Sequence, residues 1–138
     1  MWNPDHDGIT HINVYSKGRT ALGRLLSNFA DTPFRIPLMG TFGSVEAFWY
    51  WTITGDDTVR HLHGYKAKQI GSKLPRKRPP PTKRELKIAY RAKLNKHWYL
   101  KSCLQSNKLP LAHYYVYGGK VVEPKQWQWT ASLWTELF

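Results

Sequence analysis

The stretch GTFGSVEAFWYW, residues 40–51, bears most directly on the fold, because it contains the signals of a buried helix. It also places one carboxylate beside a block of aromatic side chains. Gly43 and Ser44 are both acceptable helix N-caps, and the residues that follow keep the helical period up to Gly55. The segment is apolar almost all round, which is typical of a buried helix. We therefore expect a buried helix whose first turn carries Glu46.

A second helix and a connector are predicted downstream. The helix is expected to begin at Asp56 or Asp57 and to end at Gly71, a residue type that commonly follows a helix. Residues 72–82 then form a basic, proline-rich connector within the domain. The prolines at 79–81 exclude a helix there and favour an extended chain.

A third helix is predicted by its capping signals. Thr82, with Glu85 three residues later, forms a capping box, so the helix should begin there. It should continue to about Asn107 and stop before Pro110. Cys103 lies on the polar half of this helix, and no chemistry is assigned to it.

Short strands are expected on both sides of the helices. Residues 11–16 alternate as a half-buried strand would, and residues 34–40 are a second candidate in which Pro37 marks an edge or a turn. The clearest signal is residues 111–124, where two β-rich runs flank a two-residue Gly-Gly turn. The aromatic end, residues 126–138, is read as a final strand that turns into a helix.

Length and composition are those of one ordinary domain. The chain has 138 residues, of which 41% are hydrophobic and 14% aromatic, enough for a core without disulfides or metals. With the element pattern, this predicts a single compact α+β domain over residues 1–138, in which helices pack with a small mixed or antiparallel sheet.

The charge is the first functional clue. Twenty-one Lys and Arg against nine Asp and Glu give a formal net charge of +12, which favours nucleic acid, nucleotide phosphates or another polyanion as partner. A basic surface with no such partner is the plain alternative.

Several classes of protein are disfavoured by the sequence. No apolar run approaches the roughly 20 residues of a membrane span, and the N-terminus lacks the pattern of a signal peptide. One cysteine excludes an internal disulfide, and His61 and His63 lie on different helix faces, so no metal site is expected. No cofactor is expected either, and the cytoplasm is the expected compartment.

Two side chains are candidates for catalysis. A glutamate in a first helical turn commonly just stabilises the helix dipole, but a carboxylate against aromatic walls has a raised pKa and can act as a general acid or base. That is the functional reading of Glu46. Lys68, on the second predicted helix, is either a solvated lysine, a phosphate clamp or an amine nucleophile that forms a Schiff base with a sugar aldehyde.

Three motifs follow one another in the first half of the chain. LLSNF (25–29) precedes FGSVEAFWYW (42–51), and HGYKAKQIG (63–71) supplies an alanine-lysine-x-x-glycine helix. Their order and spacing resemble the NADAR family, which includes the YbiA-like N-glycosidases. The resemblance covers roughly the first half of the chain. The later run LPLAHYYVYGGKVVEP (109–124) is similar to the ending of a small, phage-type branch of the family, and the compartment would then be the host-cell cytoplasm.

The resemblance implies hydrolysis of an N-glycosidic bond to an ADP-ribosylated or ribosylated base, such as ADP-ribosyl-guanine in nucleic acid. Glu46 would stabilise the positive sugar or activate water, or Lys68 would capture C1 as an imine. The remaining assignments concern binding alone: Arg24, Lys66 and Lys68 for the diphosphate, Asn28 for a ribose hydroxyl or base edge, Trp49, Trp51 or Tyr65 for stacking on the base, and His113 at the pocket or simply paired within its strand.

One departure from the family keeps other readings open. YbiA-like members carry a late D-x-x-W-G acid, whereas the late acids of this chain are Glu123 and Glu136 and no such motif is present. A non-catalytic binder of ADP-ribose-like or cyclic signalling nucleotides is therefore the first alternative. A basic protein that binds DNA or RNA through residues 76–84 is the second.

Overall fold

Helices form most of the regular structure in the computed structural model, which describes residues 2–138. They are α1 (Ala21–Leu26), α2 (Val45–Thr54), α3 (Gly64–Gly71), α4 (Lys83–Lys96), α5 (Trp98–Ser106) and α6 (Gln128–Ser132). Short 3-10 helices cover Pro4–His6, Asp57–Val59, Lys125–Trp127 and Leu133–Leu137. No helix among these residues has both the length and the apolar character needed to cross a membrane.

The strands form three separate pairs. Strand β1 (Ile12–Asn13) runs parallel to β4 (Leu111–Ala112), which joins the two ends of the chain. The other two pairs are antiparallel: β2 (Phe34–Ile36) with β3 (Gly40–Phe42), and β5 (Tyr115–Tyr117) with β6 (Lys120–Val122).

One hydrophobic core unites these elements. Leu86, Tyr90 and Leu94 of α4 belong to the same buried cluster as Phe48 of α2. Tyr90 also stacks on Trp134, with ring centroids 3.7 Å apart and the planes 8° from parallel. The predicted class is confirmed, since the chain is a compact α+β domain in which helices pack with small sheets.

Helix α2 lies where the quoted stretch predicts it. The Ser44 hydroxyl oxygen accepts a hydrogen bond from the Ala47 N–H at 3.0 Å, which caps the helix. Gly55 ends it in the left-handed conformation, at φ 66°. Most of the residues between them are buried, so the expectation of a buried helix that carries Glu46 in its first turn is confirmed.

The second predicted helix begins later than expected. Asp56 and Asp57 start a single 3-10 turn, and α3 begins only at Gly64. The carbonyl groups needed to extend the helix backwards bond to the start of α2 instead. Arg60 O accepts the Gly43 N–H at 2.6 Å, and Leu62 O accepts the Ser44 hydroxyl at 2.9 Å.

The third predicted helix is two helices, so the prediction of one unbroken segment was wrong. The capping box at Thr82 and Glu85 is confirmed. The break falls at His97, whose backbone has φ −112° and ψ 68°. The His97 ring Nε2 lies 2.8 Å from the Pro33 carbonyl oxygen, and this tertiary contact anchors the residue at the break.

The two ends of the chain also depart from expectation. The N-terminal strand is shorter than residues 11–16 and is not half-buried, because Asn13 is buried too and its side chain bonds both the N–H and the carbonyl of Tyr114, at 3.0 Å each. Residues 126–138 contain no strand, and α6 and the final 3-10 turn replace it. The Thr130 carbonyl accepts the Tyr90 hydroxyl at 2.9 Å, which holds this end on the core.

The proline-rich connector has a defined path. Residues 72–82 contain no helix or strand, as predicted. The N–H groups of Lys77 and Arg78 both donate to the Ile53 carbonyl oxygen, at 2.8 and 3.0 Å. These bonds fasten the connector against the end of α2.

Candidate active site

The main cavity of the described residues has a volume of about 600 Å³. Its wall includes residues of α2, α3 and α4, of the β5–β6 hairpin and of the connector. Almost half of the lining residues are aromatic. They are Tyr15, Phe29, Trp49, Tyr50, Tyr65, Tyr90, Tyr115, Tyr117 and Trp127.

Glu46 is the one acidic side chain among the lining residues that the structure describes. It is half-buried in the first turn of α2. The Glu46 N–H donates to the Asn28 carbonyl oxygen at 2.9 Å, so the start of the helix is tied to the segment after α1. The backbone therefore fixes where this carboxylate enters the cavity.

Burial raises the pKa of Glu46 to about 7, and the nearby positive charge of Lys68 opposes the rise. Three phenols surround the carboxylate closely enough for its charge to act on them. The pKa values of Tyr50, Tyr90 and Tyr115 are all raised, first by burial and then by the charge of Glu46. Near neutral pH, Glu46 can therefore both accept and give up a proton.

Three cations line the same cavity. Lys68 comes from α3, Lys17 follows β1, and Arg76 comes from the connector. All three are exposed, and in residues 2–138 none of them forms an ion pair. A ligand that carries negative charge is therefore electrostatically complementary to the cavity wall.

His113 also lines the cavity, and one of its ring nitrogens is already engaged. Its Nδ1 lies 2.7 Å from the Val14 carbonyl oxygen, which accepts a hydrogen bond from a protonated Nδ1. Burial lowers the pKa of the ring, so His113 is neutral and its Nε2 is a free acceptor. This nitrogen can take a hydrogen bond from a hydroxyl or an N–H of a ligand.

The approach of α3 to α2 depends on a glycine. A Cβ atom on Gly71 would lie 2.3 Å from Cγ of Tyr50, closer than packed atoms come. The alanine-lysine-x-x-glycine pattern thus brings Lys68 to the cavity because its last residue has no side chain.

Six of the predicted site residues come together around the cavity: Asn28, Glu46, Trp49, Tyr65, Lys68 and His113. Trp49 also makes an edge-to-face contact with Trp127, at 5.1 Å between centroids. Tyr65 is exposed at the rim.

Three other predicted ligand-binding residues are not in the cavity wall. The Arg24 guanidinium donates instead to the Gly18 carbonyl at 2.8 Å. The Trp51 indole N–H donates to Asp57 at 3.0 Å, and Arg60 lies 4.6 Å above its ring. Lys66 is exposed two residues from Lys68, which turns it away on the helix.

Sequence reasoning missed Lys17 and Arg76 as site residues. The signal for Arg76 was present, because residues 76–78 are a basic run, but the run was assigned to a connector or a nucleic-acid footprint. The late acids do not supply a second carboxylate: Glu136 pairs with Lys83 at 2.8 Å, and neither it nor Glu123 lines the cavity.

Residues 2–138 contain no group of three or more His, Cys, Asp or Glu side chains placed to hold a metal ion. No protein-family model matches the chain, and searches of curated proteins and of solved structures give no significant match. The resemblance to the NADAR family therefore rests on the sequence motifs alone.

Proposed function

We propose that this chain is a NADAR-like N-glycoside hydrolase that acts on an ADP-ribosylated or ribosylated base, for example ADP-ribosyl-guanine in nucleic acid. One observation carries the proposal: Glu46, with a pKa near 7, and Lys68 face one aromatic cavity from two adjacent helices. Cleavage of a C–N glycosidic bond needs a group that stabilises or captures the positive sugar carbon, and both side chains can do so.

The cavity suits each part of such a substrate. Its aromatic side chains offer faces for stacking on a base. Lys17 and Arg76 offer charge for a diphosphate, and the Asn28 side chain and His113 Nε2 offer hydrogen bonds to hydroxyls or to a base edge. Arg24, Lys66 and Trp51, which were expected to bind the ligand, have no part in this proposal.

The bond changes can be written around Glu46. As the bond between ribose C1 and the base nitrogen breaks, its electron pair leaves with the base, which takes up a proton. The ionised Glu46 carboxylate stabilises the cation at C1 and accepts a proton from the water that attacks there. Alternatively, the Lys68 amine attacks C1 and displaces the base, which takes up one amine proton. The bond between C1 and the ring oxygen then breaks, the oxygen takes up the second amine proton as a hydroxyl, and water hydrolyses the resulting imine to the sugar aldehyde and the free amine.

The lone carboxylate favours one alternative, a non-catalytic nucleotide binder. Glycosidases of the common type use two carboxylates, and this cavity presents only Glu46 among the described residues. A site with one carboxylate also suits a non-catalytic binder of ADP-ribose-like or cyclic signalling nucleotides. Binding through the basic connector, with DNA or RNA as partner, is compatible with either activity.

The test is release of ADP-ribose from an oligonucleotide that carries ADP-ribosyl-guanine. We expect Glu46→Gln to lower kcat at least about 100-fold, because the carboxylate acts at C1. Lys68→Ala separates the two routes, because it lowers kcat as much where the imine forms and much less where the carboxylate acts alone. Lys66→Ala is the matched control, because Lys66 is an exposed lysine on the same helix outside the cavity, and it should keep full activity.

Two results would contradict the proposal. A wild type that binds ADP-ribose tightly without releasing it from the oligonucleotide would indicate a sequestering or sensing module. An active wild type whose rate is unchanged by Glu46→Gln would remove the carboxylate from the mechanism.

A further inference from the structure

Three successive carbonyl groups tie residues 27–29 to three different helices. The Ser27 carbonyl accepts the Lys93 ammonium of α4 at 3.2 Å. The Asn28 carbonyl accepts the Glu46 N–H of α2 at 2.9 Å, and the Phe29 carbonyl accepts the Gly64 N–H of α3 at 2.9 Å. The segment therefore sets where both site helices begin.

In the described residues, Lys93 is the one charged side chain that donates to any of these three carbonyls, and its acceptor is that of Ser27. It is fully buried, at 0% exposure, and lies in the last turn of α4. No carboxylate in residues 2–138 forms an ion pair with it, and the Ser27 carbonyl is its one hydrogen-bond partner there. The nitrogen also lies over the Trp134 ring, 5.5 Å from its centroid, which is within cation–π distance.

This arrangement is costly for the fold. A buried amine with one acceptor and no counter-ion loses most of its hydration, and the burial lowers the pKa of Lys93 to about 7. Methionine has a similar length and would occupy the same site without that cost. Stability alone therefore gives no reason for a lysine here.

We propose that Lys93 is a positioning residue that acts through the Ser27 carbonyl. By holding residues 27–29, its amine fixes the first turns of α2 and α3, so that Glu46 and Lys68 face the same cavity. The role of those two side chains rests on the proposed function. Lys93 itself lies beneath the cavity and is not among its lining residues, so it does not touch the ligand.

The first test is Lys93→Met, followed by amide hydrogen exchange. We expect the Glu46 and Gly64 amides to exchange at least about tenfold faster, because their acceptor segment loses its anchor, while the Leu94 amide of α4 keeps its protection. Thermal stability should stay equal or rise. The kcat should fall about 10- to 100-fold with a smaller change in KM, since a small misplacement of reacting groups affects the chemical step most.

Lys96→Met is the matched control, because Lys96 is an exposed lysine of the same helix and bonds none of these carbonyls. It should leave exchange and kcat unchanged. Equal exchange at Glu46 and Gly64 in wild type and Lys93→Met would overturn the proposal.

A chemical rescue separates positioning from support of the fold. In a Cys103→Ser background, Lys93→Cys can be alkylated with an aminoethyl group, which restores the amine, or with a propyl group of the same shape. The aminoethyl form should recover slow exchange and kcat, and the propyl form should not. Recovery by both forms, or failure of both to fold, would show a structural role and overturn the proposal.

The two proposals fail in different ways. If wild type releases no ADP-ribose but Lys93→Met still loses protection at Glu46 and Gly64, the positioning role stands without the N-glycosidase. If wild type is active and the exchange of those amides does not change in Lys93→Met, the N-glycosidase proposal stands and the positioning role of Lys93 is overturned.

Discussion

At the scale of single residues, the ionised form of Glu46 costs the folded state free energy. Its carboxyl titrates near pH 7 in the fold against 4.5 as a free side chain. The folded state therefore binds this proton more tightly than the unfolded state. Stability from this group is fully present below pH 4.5 and is lost as the pH rises through about 7.

Glu46→Gln should therefore stabilise the protein selectively at higher pH. The difference in the free energy of unfolding, variant minus wild type, should grow between pH 4.5 and about 7 and then level off about 1–3 kcal/mol above its low-pH value. Urea denaturation at a series of pH values measures it.

Because the comparison is a difference between two proteins, the contributions of their shared titratable groups to the free energy of unfolding cancel. Lys93 and His113, whose pKa values are lowered by burial, are present in both. A difference that stays constant with pH would show that the carboxyl of Glu46 is not desolvated.

A residue could be predicted to belong to the site only where the nearby sequence indicates its role. Glu46, Asn28 and Lys68 could be proposed in advance because each lies in one of the three short motifs that resemble the NADAR family. Lys93 could not, because a lysine in a helical pattern is normally solvated. Its burial results from the packing of Trp134 and residues 27–29, which lie far from it in the sequence.

At the scale of elements, the contact between α2 and α3 decides whether the cavity keeps its shape. Gly71→Ala should destabilise the protein by about 1–3 kcal/mol, because its methyl group would overlap Tyr50 and push the helices apart. Since Tyr50 lines the cavity, the affinity for ADP-ribose should fall as well. Urea denaturation and calorimetric titration measure the two effects.

Gly55→Ala is the control, because it adds the same atom where nothing lies within 4 Å. It carries only the strain of a positive φ, about 1 kcal/mol, and should leave the affinity for ADP-ribose unchanged. Equal effects of the two substitutions on affinity would show that the helix contact does not shape the site.

The elements that could be predicted are those whose sequence signals lie within a few adjacent residues. The two-residue turn of Gly118 and Gly119 forms as expected, with φ of 53° and 81°. The break at His97 and the late start of α3 were not predictable, because each depends on a bond to a distant backbone carbonyl or amide. Helical periodicity cannot report such a bond.

At the scale of the whole molecule, the net charge of +12 favours a polyanionic partner, and nucleic acid is the one tested most directly. We expect the affinity for single-stranded DNA of about 20 nucleotides to fall at least about tenfold between 50 and 200 mM salt, because counterions are released on binding. Affinity for free ADP-ribose should change less. Fluorescence anisotropy at several salt concentrations measures both.

Removing positive charges from residues 76–84 tests whether the single-stranded DNA binds there. Lys77→Gln in the connector with Arg84→Gln in the first turn of α4 should reduce the salt dependence, since both cations lie in residues 76–84 and neither forms an ion pair in residues 2–138. Lys96→Gln with Lys108→Gln removes the same charge elsewhere. An equal loss in both pairs would indicate diffuse attraction with no preferred path.

The parallel pairing of β1 with β4 has a consequence for synthesis of the protein. The cavity lining extends from Val14 to Thr130, and β1 has no partner until β4 has been made. A nascent chain that ends before the β5–β6 hairpin lacks one wall of the cavity, whatever the state of α2 and α3. A cavity with all of its walls therefore forms only after the residues up to Thr130 have left the ribosome.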